Sequence, residues 1–131
     1  MRAEAACAQG RLGEAQRLTE EAEALAAADD VDAQARWRAT RAKVLARRGQ
    51  FGAAARLADE AMALIPATAD APERAQFLVA KAEVSQLAGA PGDAEASLRA
   101  ALQFYETRRM VPLAERTRAL LASLAAQHAP R

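Results

Sequence analysis

Residues 49–61, GQFGAAARLADEA, carry a pattern that occurs three times in this chain. Residues 10–22 read GRLGEAQRLTEEA and residues 89–101 read GAPGDAEASLRAA, so the copies start 39 and 40 residues apart. Each copy opens on a glycine and has alanine five and twelve positions later. A closed helical bundle, which is the alternative, gives no reason for a register that recurs at this spacing. The pattern therefore favours an array of structural repeats.

The composition indicates that the repeats are helical. The chain has 131 residues, of which 52% are apolar and only 4% aromatic, and most of the apolar residues are alanine or leucine. Alanine is the strongest helix former and contributes little apolar area, whereas the β-branched residues that favour sheets are few. We therefore expect one all-α domain of close-packed helices spanning residues 1–131.

Glycine and proline divide the chain into about seven predicted helices in an antiparallel helix-hairpin array, at about 1–9, 12–27, 31–48, 51–64, 72–88, 92–107 and 111–127. Glycines end the first, third and fifth of these helices. Pro66 ends the fourth, Asp70 is a candidate N-cap, and Pro72 suits a first turn. The predicted units are about 1–28, 31–66 and 70–107, with a capping helix at about 111–127. Because the first helix is short, part of the second helix should be uncovered.

Helical spacing then predicts which bulky or small side chains face inward. These are Leu18, Ala22, Leu25, Ala35, Trp37, Ala42, Val44, Leu45, Ala46, Leu57, Ala61, Leu64, Phe77, Val84, Leu87, Leu98, Ala101, Leu102, Tyr105, Leu113, Leu120, Leu121 and Leu124.

The small residues also resemble those of the tetratricopeptide repeat (TPR), in which a helix A, a turn and a helix B form each unit. The matching positions are Ala3, Ala42 and Ala82 in helix A, Gly10, Gly49 and Gly89 at the turn, and Ala15, Ala22, Ala54, Ala61, Ala94 and Ala101 in helix B. Phe51 matches the aromatic residue after the turn, and Pro66 matches a closing proline that the other two units lack. The resemblance implies a TPR-like α-α superhelix that binds a protein or peptide.

The period of 39 or 40 exceeds the usual 34 of that family. This longer form is similar to the repeats that follow the ATPase module in bacterial transcription activators and to those of some nucleotide-cyclase fusions. Residues 98–121, LRAALQFYETRRMVPLAERTRALL, are especially similar to the ends of such proteins. The resemblance leaves two functions open. One is a protein–protein interaction scaffold, and the other is the C-terminal regulatory or sensor segment of a larger bacterial regulator.

In such an array the A helices line a concave groove, which the register assigns to two helices. The third contributes Arg36, Ala39, Lys43 and Ala46, and the fifth contributes Gln76, Val79, Glu83 and Gln86. Arg36, Lys43 and Arg47 form one stripe that could hold an acidic segment; the alternative is a solvated face with Lys43 near Glu83 as a weak pair. A homodimer through the open N-terminal edge is a further expectation.

The remaining candidate residues do not indicate a catalytic, metal or nucleic-acid site. Six cations fall between Arg36 and Arg48, but they point around the helix and the net charge is only +1, which disfavours nucleic-acid binding. Trp37 is either core packing or a hot-spot anchor. Cys7 and His128 cannot form a zinc site alone, and no phosphate loop or GxSxG motif occurs. We therefore expect no enzyme activity, cofactor, metal or membrane span, and a cytoplasmic location.

Overall fold

The computed structural model describes residues 2–66 and 71–128, and within these ranges the chain forms seven α-helices and no strand. The helices are α1 Arg2–Ala8, α2 Leu12–Leu25, α3 Val31–Arg47, α4 Phe51–Leu64, α5 Pro72–Leu87, α6 Pro91–Thr107 and α7 Val111–Gln127. The all-α, seven-helix prediction is confirmed, and its boundaries agree within two residues. The candidate cap Asp70 lies outside the described residues; Pro72 begins α5, as predicted.

Neighbouring helices pack as an open array. α1 packs against α2, α3 against α4 and α5 against α6, and α7 packs against α6. α3 also contacts α1 and α5, so that α1, α3 and α5 lie side by side. All the extensive contacts among the described helices join elements one or two apart in the chain, whereas a closed bundle would also bring its last helix onto its first.

The three repeated glycines share one backbone conformation. Gly10, Gly49 and Gly89 have φ of 78°, 81° and 82°, in the left-handed region that ends a helix and that only glycine adopts without strain. The same turn recurs between α6 and α7 with Arg109 at φ 57°. The A-to-B turns of the repeat therefore depend on glycine for backbone geometry.

The repeated alanines lie where paired helices cross. Ala15, Ala54 and Ala94 are fully buried, and so are Ala61 and Ala101 of the two later copies. Small side chains at these positions let the two helix axes approach at the short end of the usual 8–10 Å range. In the first copy Ala22 is only partly buried, because α1 is too short to cover the end of α2.

Three leucines predicted to face inward are exposed instead: Leu25 by 85%, Leu87 by 43% and Leu120 by 40%. Leu25 ends α2, and the seven residues of α1 do not reach it, which agrees with the predicted uncovered stretch. Leu87 ends α5, one turn beyond the buried Val84. Leu120 lines an open cleft between α5 and α7.

Candidate binding cleft

A cleft of about 370 Å³ lies between α5 and α7, with α6 as its floor. We call it the α5–α7 cleft. Residues from five helices line it, namely Glu4, Lys43, Pro72, Glu73, Gln76, Val79, Ala80, Ala82, Glu83, Gln86, Leu98, Tyr105, Leu113, Arg116, Thr117 and Leu120. Most of its surface is apolar, and five charged side chains also line it. A second, shallow depression of about 20 Å³ lies between α3 and α5.

The structure brings five of the nine predicted groove and stripe residues into the α5–α7 cleft: Lys43, Gln76, Val79, Glu83 and Gln86. Arg36 lines the shallow depression together with Ala39. Arg47 lines neither recess and reaches across to α1 and α5. Ala46, which the register placed in the groove, is buried in the seam between α3 and α4.

Ion pairs neutralise most of the predicted basic stripe. Lys43 Nζ lies 3.6 Å from a carboxylate oxygen of Glu4, and Arg47 lies 3.0 Å from Oε1 of Glu83. Arg47 also donates to the backbone carbonyl of Cys7. The expected pairing of Lys43 with Glu83 is wrong, since Glu83 pairs with Arg47. The stripe therefore joins α1, α3 and α5, and an acidic ligand would have to compete with these carboxylates.

Glu83 has one carboxylate oxygen without a partner. Oε1 accepts from Arg47, whereas Oε2 is shielded from solvent and has no hydrogen-bond partner in the described part of the chain. A buried acceptor without a donor is costly. Glu83 also lines the α5–α7 cleft, so its carboxylate adds negative charge to the α5 wall.

Tyr105 of α6 and Arg116 of α7 line the cleft on two different sides. Tyr105 is 4% exposed and its ring meets Phe104 edge-on, with 6.0 Å between ring centroids. Burial raises the pKa of the Tyr105 phenol, and the neighbouring Arg116 guanidinium partly offsets this rise. Gln86 of α5 donates to Gln127 of α7 and so links the two walls near their C-terminal ends.

Because Tyr105 is the chain's single tyrosine, its ionisation can be followed directly. We expect the absorbance change of phenolate formation to be centred above the ordinary tyrosine pKa of about 10, because burial disfavours the anion. An ultraviolet pH titration of the folded protein measures this. The Arg116→Gln variant should titrate at a still higher pH, and a wild-type midpoint at or below the ordinary value would contradict the burial of the hydroxyl.

Trp37 is part of the core and not an exposed anchor. It is 6% exposed, and its Nε1 donates to Gln34 at 3.2 Å. The guanidinium carbons of Arg38 and Arg41 each lie 4.5 Å from a ring centroid. The same two arginines pair with Glu60 at 3.5 Å and with Glu23 at 2.8 Å. The core interpretation of Trp37 is confirmed, and these two members of the cation run are engaged between helices.

The other candidates carry no site. Cys7 is buried at 1% exposure, and burial raises the pKa of its thiol despite the opposing effect of Arg47 and Lys43. In residues 2–66 and 71–128, no group of three or more His, Cys, Asp or Glu side chains is placed to hold a metal ion. No helix in that part of the chain has the length and apolar character needed to cross a membrane.

Sequence reasoning missed the α6 and α7 contribution to the cleft, which comes from Leu98, Tyr105, Leu113, Arg116, Thr117 and Leu120. The sequence pattern predicts α7 only as a capping helix. A signal was nevertheless present, because Arg36, Gln76 and Arg116 lie 40 residues apart in the groove register. Extending that register by one more period would have placed Arg116 in the groove.

Comparison with known proteins adds no relative. A scan against protein-family models gave no match. A search of curated proteins and a search of solved structures also gave none.

Proposed function

We propose that this protein is a non-catalytic scaffold of the tetratricopeptide type that binds a segment of a partner protein in the α5–α7 cleft. The observation that carries the proposal is the open cleft of about 370 Å³ on the side of the odd-numbered helices. Its size falls in the range of pockets that bind ligands, which is about 300–1,000 Å³. Its mainly apolar surface, with polar and charged side chains among the lining, is the composition that recognition sites use.

The hydrogen bonds of the cleft support a binding role over a catalytic one. Thr117 Oγ1 donates to the backbone carbonyl of Leu113 at 2.7 Å, and Gln86 bonds to Gln127. Glu83 pairs with Arg47. The first of these bonds lies within α7 and the other two join different helices. These polar groups do not converge on one point, whereas acid–base catalysis needs a donor and an acceptor aimed at the same reacting atom.

The repeat class rests on local geometry. The left-handed glycines at the A-to-B turns and the fully buried alanines at the crossings occupy the positions at which the tetratricopeptide pattern has small residues. Repeat arrays of this kind form extended concave surfaces because each unit is rotated slightly from its neighbour.

Two leucines of nearly equal exposure provide the test. Leu120 lines the cleft and is 40% exposed, whereas Leu87 lies outside the lining and is 43% exposed. Peptides would be selected from a displayed random library on the wild-type protein, and their affinities measured by fluorescence anisotropy. We expect the peptides to bind Leu87→Glu as they bind wild type and to bind Leu120→Glu at least tenfold more weakly. Repeated selections that yield no binder, or only binders insensitive to Leu120→Glu, would contradict the proposal.

A further inference from the structure

Three residues occupy one position in successive A helices. Trp37 of α3, Phe77 of α5 and Thr117 of α7 lie 40 residues apart, and all three are buried, at 6%, 4% and 2% exposure. The residues seven positions later, Val44, Val84 and Leu124, are buried as well. The register therefore continues through α7, and the position that holds an aromatic ring in two helices holds threonine in the third.

The recess between neighbouring odd-numbered helices is larger where threonine replaces the aromatic ring. The depression between α3 and α5, where Phe77 lies, has about 20 Å³, whereas the cleft between α5 and α7, where Thr117 lies, has about 370 Å³. The extensive packing that joins α3 to α5 is also not found between α5 and α7 among the described helices. A ring that fills the first site is replaced at the second by a side chain of about half its size.

Tyr105 does not compensate for the smaller side chain. It stands 40 residues after Ile65, which packs against Phe77, so α6 supplies a larger side chain than α4 does at this level. Tyr105 nevertheless lines the cleft as part of its floor, and the space above it stays open. The floor therefore offers a ring edge or face to whatever enters.

We propose that the α5–α7 cleft takes an aromatic side chain of a partner peptide, at the position where Trp37 and Phe77 fill the equivalent site in the two preceding repeats. This inference rests on the proposed function and specifies its ligand. The incoming ring packs between Tyr105 and Leu120, above the methyl group of Thr117. Arg116 lies next to this position and can stack on the ring, as Arg38 and Arg41 do on Trp37.

The charges on the α5 wall indicate which residues should flank the aromatic residue in the peptide. In the register, Thr117 lies level with Phe77, with Glu73 four residues before this level and Glu83 six residues after it. At 1.5 Å per residue, the two carboxylates stand roughly 6 Å and 9 Å away along the helix axis. Because both carboxylates line the cleft, the peptide should carry a Lys or Arg within a few residues of its aromatic anchor.

The test is a substitution that places an aromatic side chain of the protein itself in the cleft. In Thr117→Phe, the added phenyl group occupies the site as Phe77 does one repeat earlier, whereas Ala122→Phe places the same group on an exposed position of α7 outside the lining. Peptides selected on the wild-type protein should contain Phe, Tyr or Trp near Lys or Arg. Their affinity should fall at least tenfold for Thr117→Phe and stay within about twofold for Ala122→Phe. Replacing the peptide's aromatic residue by alanine should have an effect as large as Thr117→Phe.

The outcomes separate this inference from the proposed function. Peptides that respond to Leu120→Glu but have no aromatic anchor, or that bind Thr117→Phe unchanged, would overturn the inference and leave the cleft as a peptide site. Self-association of the wild-type protein that Thr117→Phe abolishes would assign the cleft to a second copy and overturn it as well. Circular dichroism checks that Thr117→Phe folds. If it does not, Thr117→Leu, which fills the site in part, should weaken binding by an intermediate factor, and full affinity in Thr117→Leu would overturn the inference.

Discussion

The variant Phe77→Ala should lose about 3–5 kcal/mol of unfolding free energy, the range observed when a buried phenylalanine is truncated. Phe77 is 4% exposed and lies in a cluster with Ala35, Ala39, Ala61, Ile65 and Ala80. Four of these five buried neighbours are alanines, whose side chains cannot swing into the cavity, and only the partly buried Met62 and Leu64 could fill part of it. Urea denaturation followed by circular dichroism measures the loss.

Phe51→Ala is the matched control, because it removes the same side chain from an exposed site. Phe51 is the first residue of α4 and is 39% exposed. Surface substitutions away from special features usually change the unfolding free energy by about 0.5 kcal/mol or less. If the two variants differed by less than about 1 kcal/mol, Phe77 would not be the main packing element between α3, α4 and α5.

The helices themselves could be predicted because their ends depend on local chemistry. The left-handed glycines end α1 and α3, and Pro72 and Pro91 start α5 and α6. These effects act within a few residues and leave a direct mark on the sequence. The repeated alanines could be assigned for the same reason, since a small residue at a fixed offset from the turn indicates a close crossing.

Exposure at the helix ends was harder to predict, because it depends on the length of the neighbouring helix. Leu25 and Ile65 lie 40 residues apart at the same register position, yet Ile65 is 4% exposed and Leu25 is 85% exposed. Helical spacing predicts that both side chains point to the same side of the array. Only the packing of α4 against α3 and α5, which α2 lacks at its end, makes the difference.

The electrostatics of the groove were predicted least well. The sequence shows which cations share a face of α3 but not how α1 and α5 are rotated against it. That rotation places Lys43 in an ion pair with Glu4 and Arg47 in an ion pair with Glu83. The cleft likewise depends on a pair of positions in different helices, Thr117 and Tyr105, and neither residue type alone indicates a recess.

Trp37→Ala should also destabilise the protein by about 3–5 kcal/mol, the cost of truncating a buried aromatic side chain. The ring is 6% exposed and lies against the guanidinium groups of Arg38 and Arg41. Arg41 bonds to Thr19 at 3.2 Å and pairs with Glu23, so it joins α3 to α2. Without the ring, one face of a partly buried cation would lose its packing and its cation–π attraction.

Trp37→Phe keeps one aromatic ring and removes both the Nε1 donor to Gln34 and part of the buried indole volume. It should cost less than Trp37→Ala, since the remaining ring still packs against the two guanidinium groups and the lost hydrogen bond contributes only about 0.5–1.5 kcal/mol. Circular dichroism in urea measures both variants, because removing the single tryptophan also removes the intrinsic fluorescence signal. A loss below about 1 kcal/mol in Trp37→Ala would mean that the ring contributes little to folding, and it would restore the interpretation of Trp37 as a binding anchor. A full loss would instead agree with Trp37 as a core residue, the role that its burial indicates.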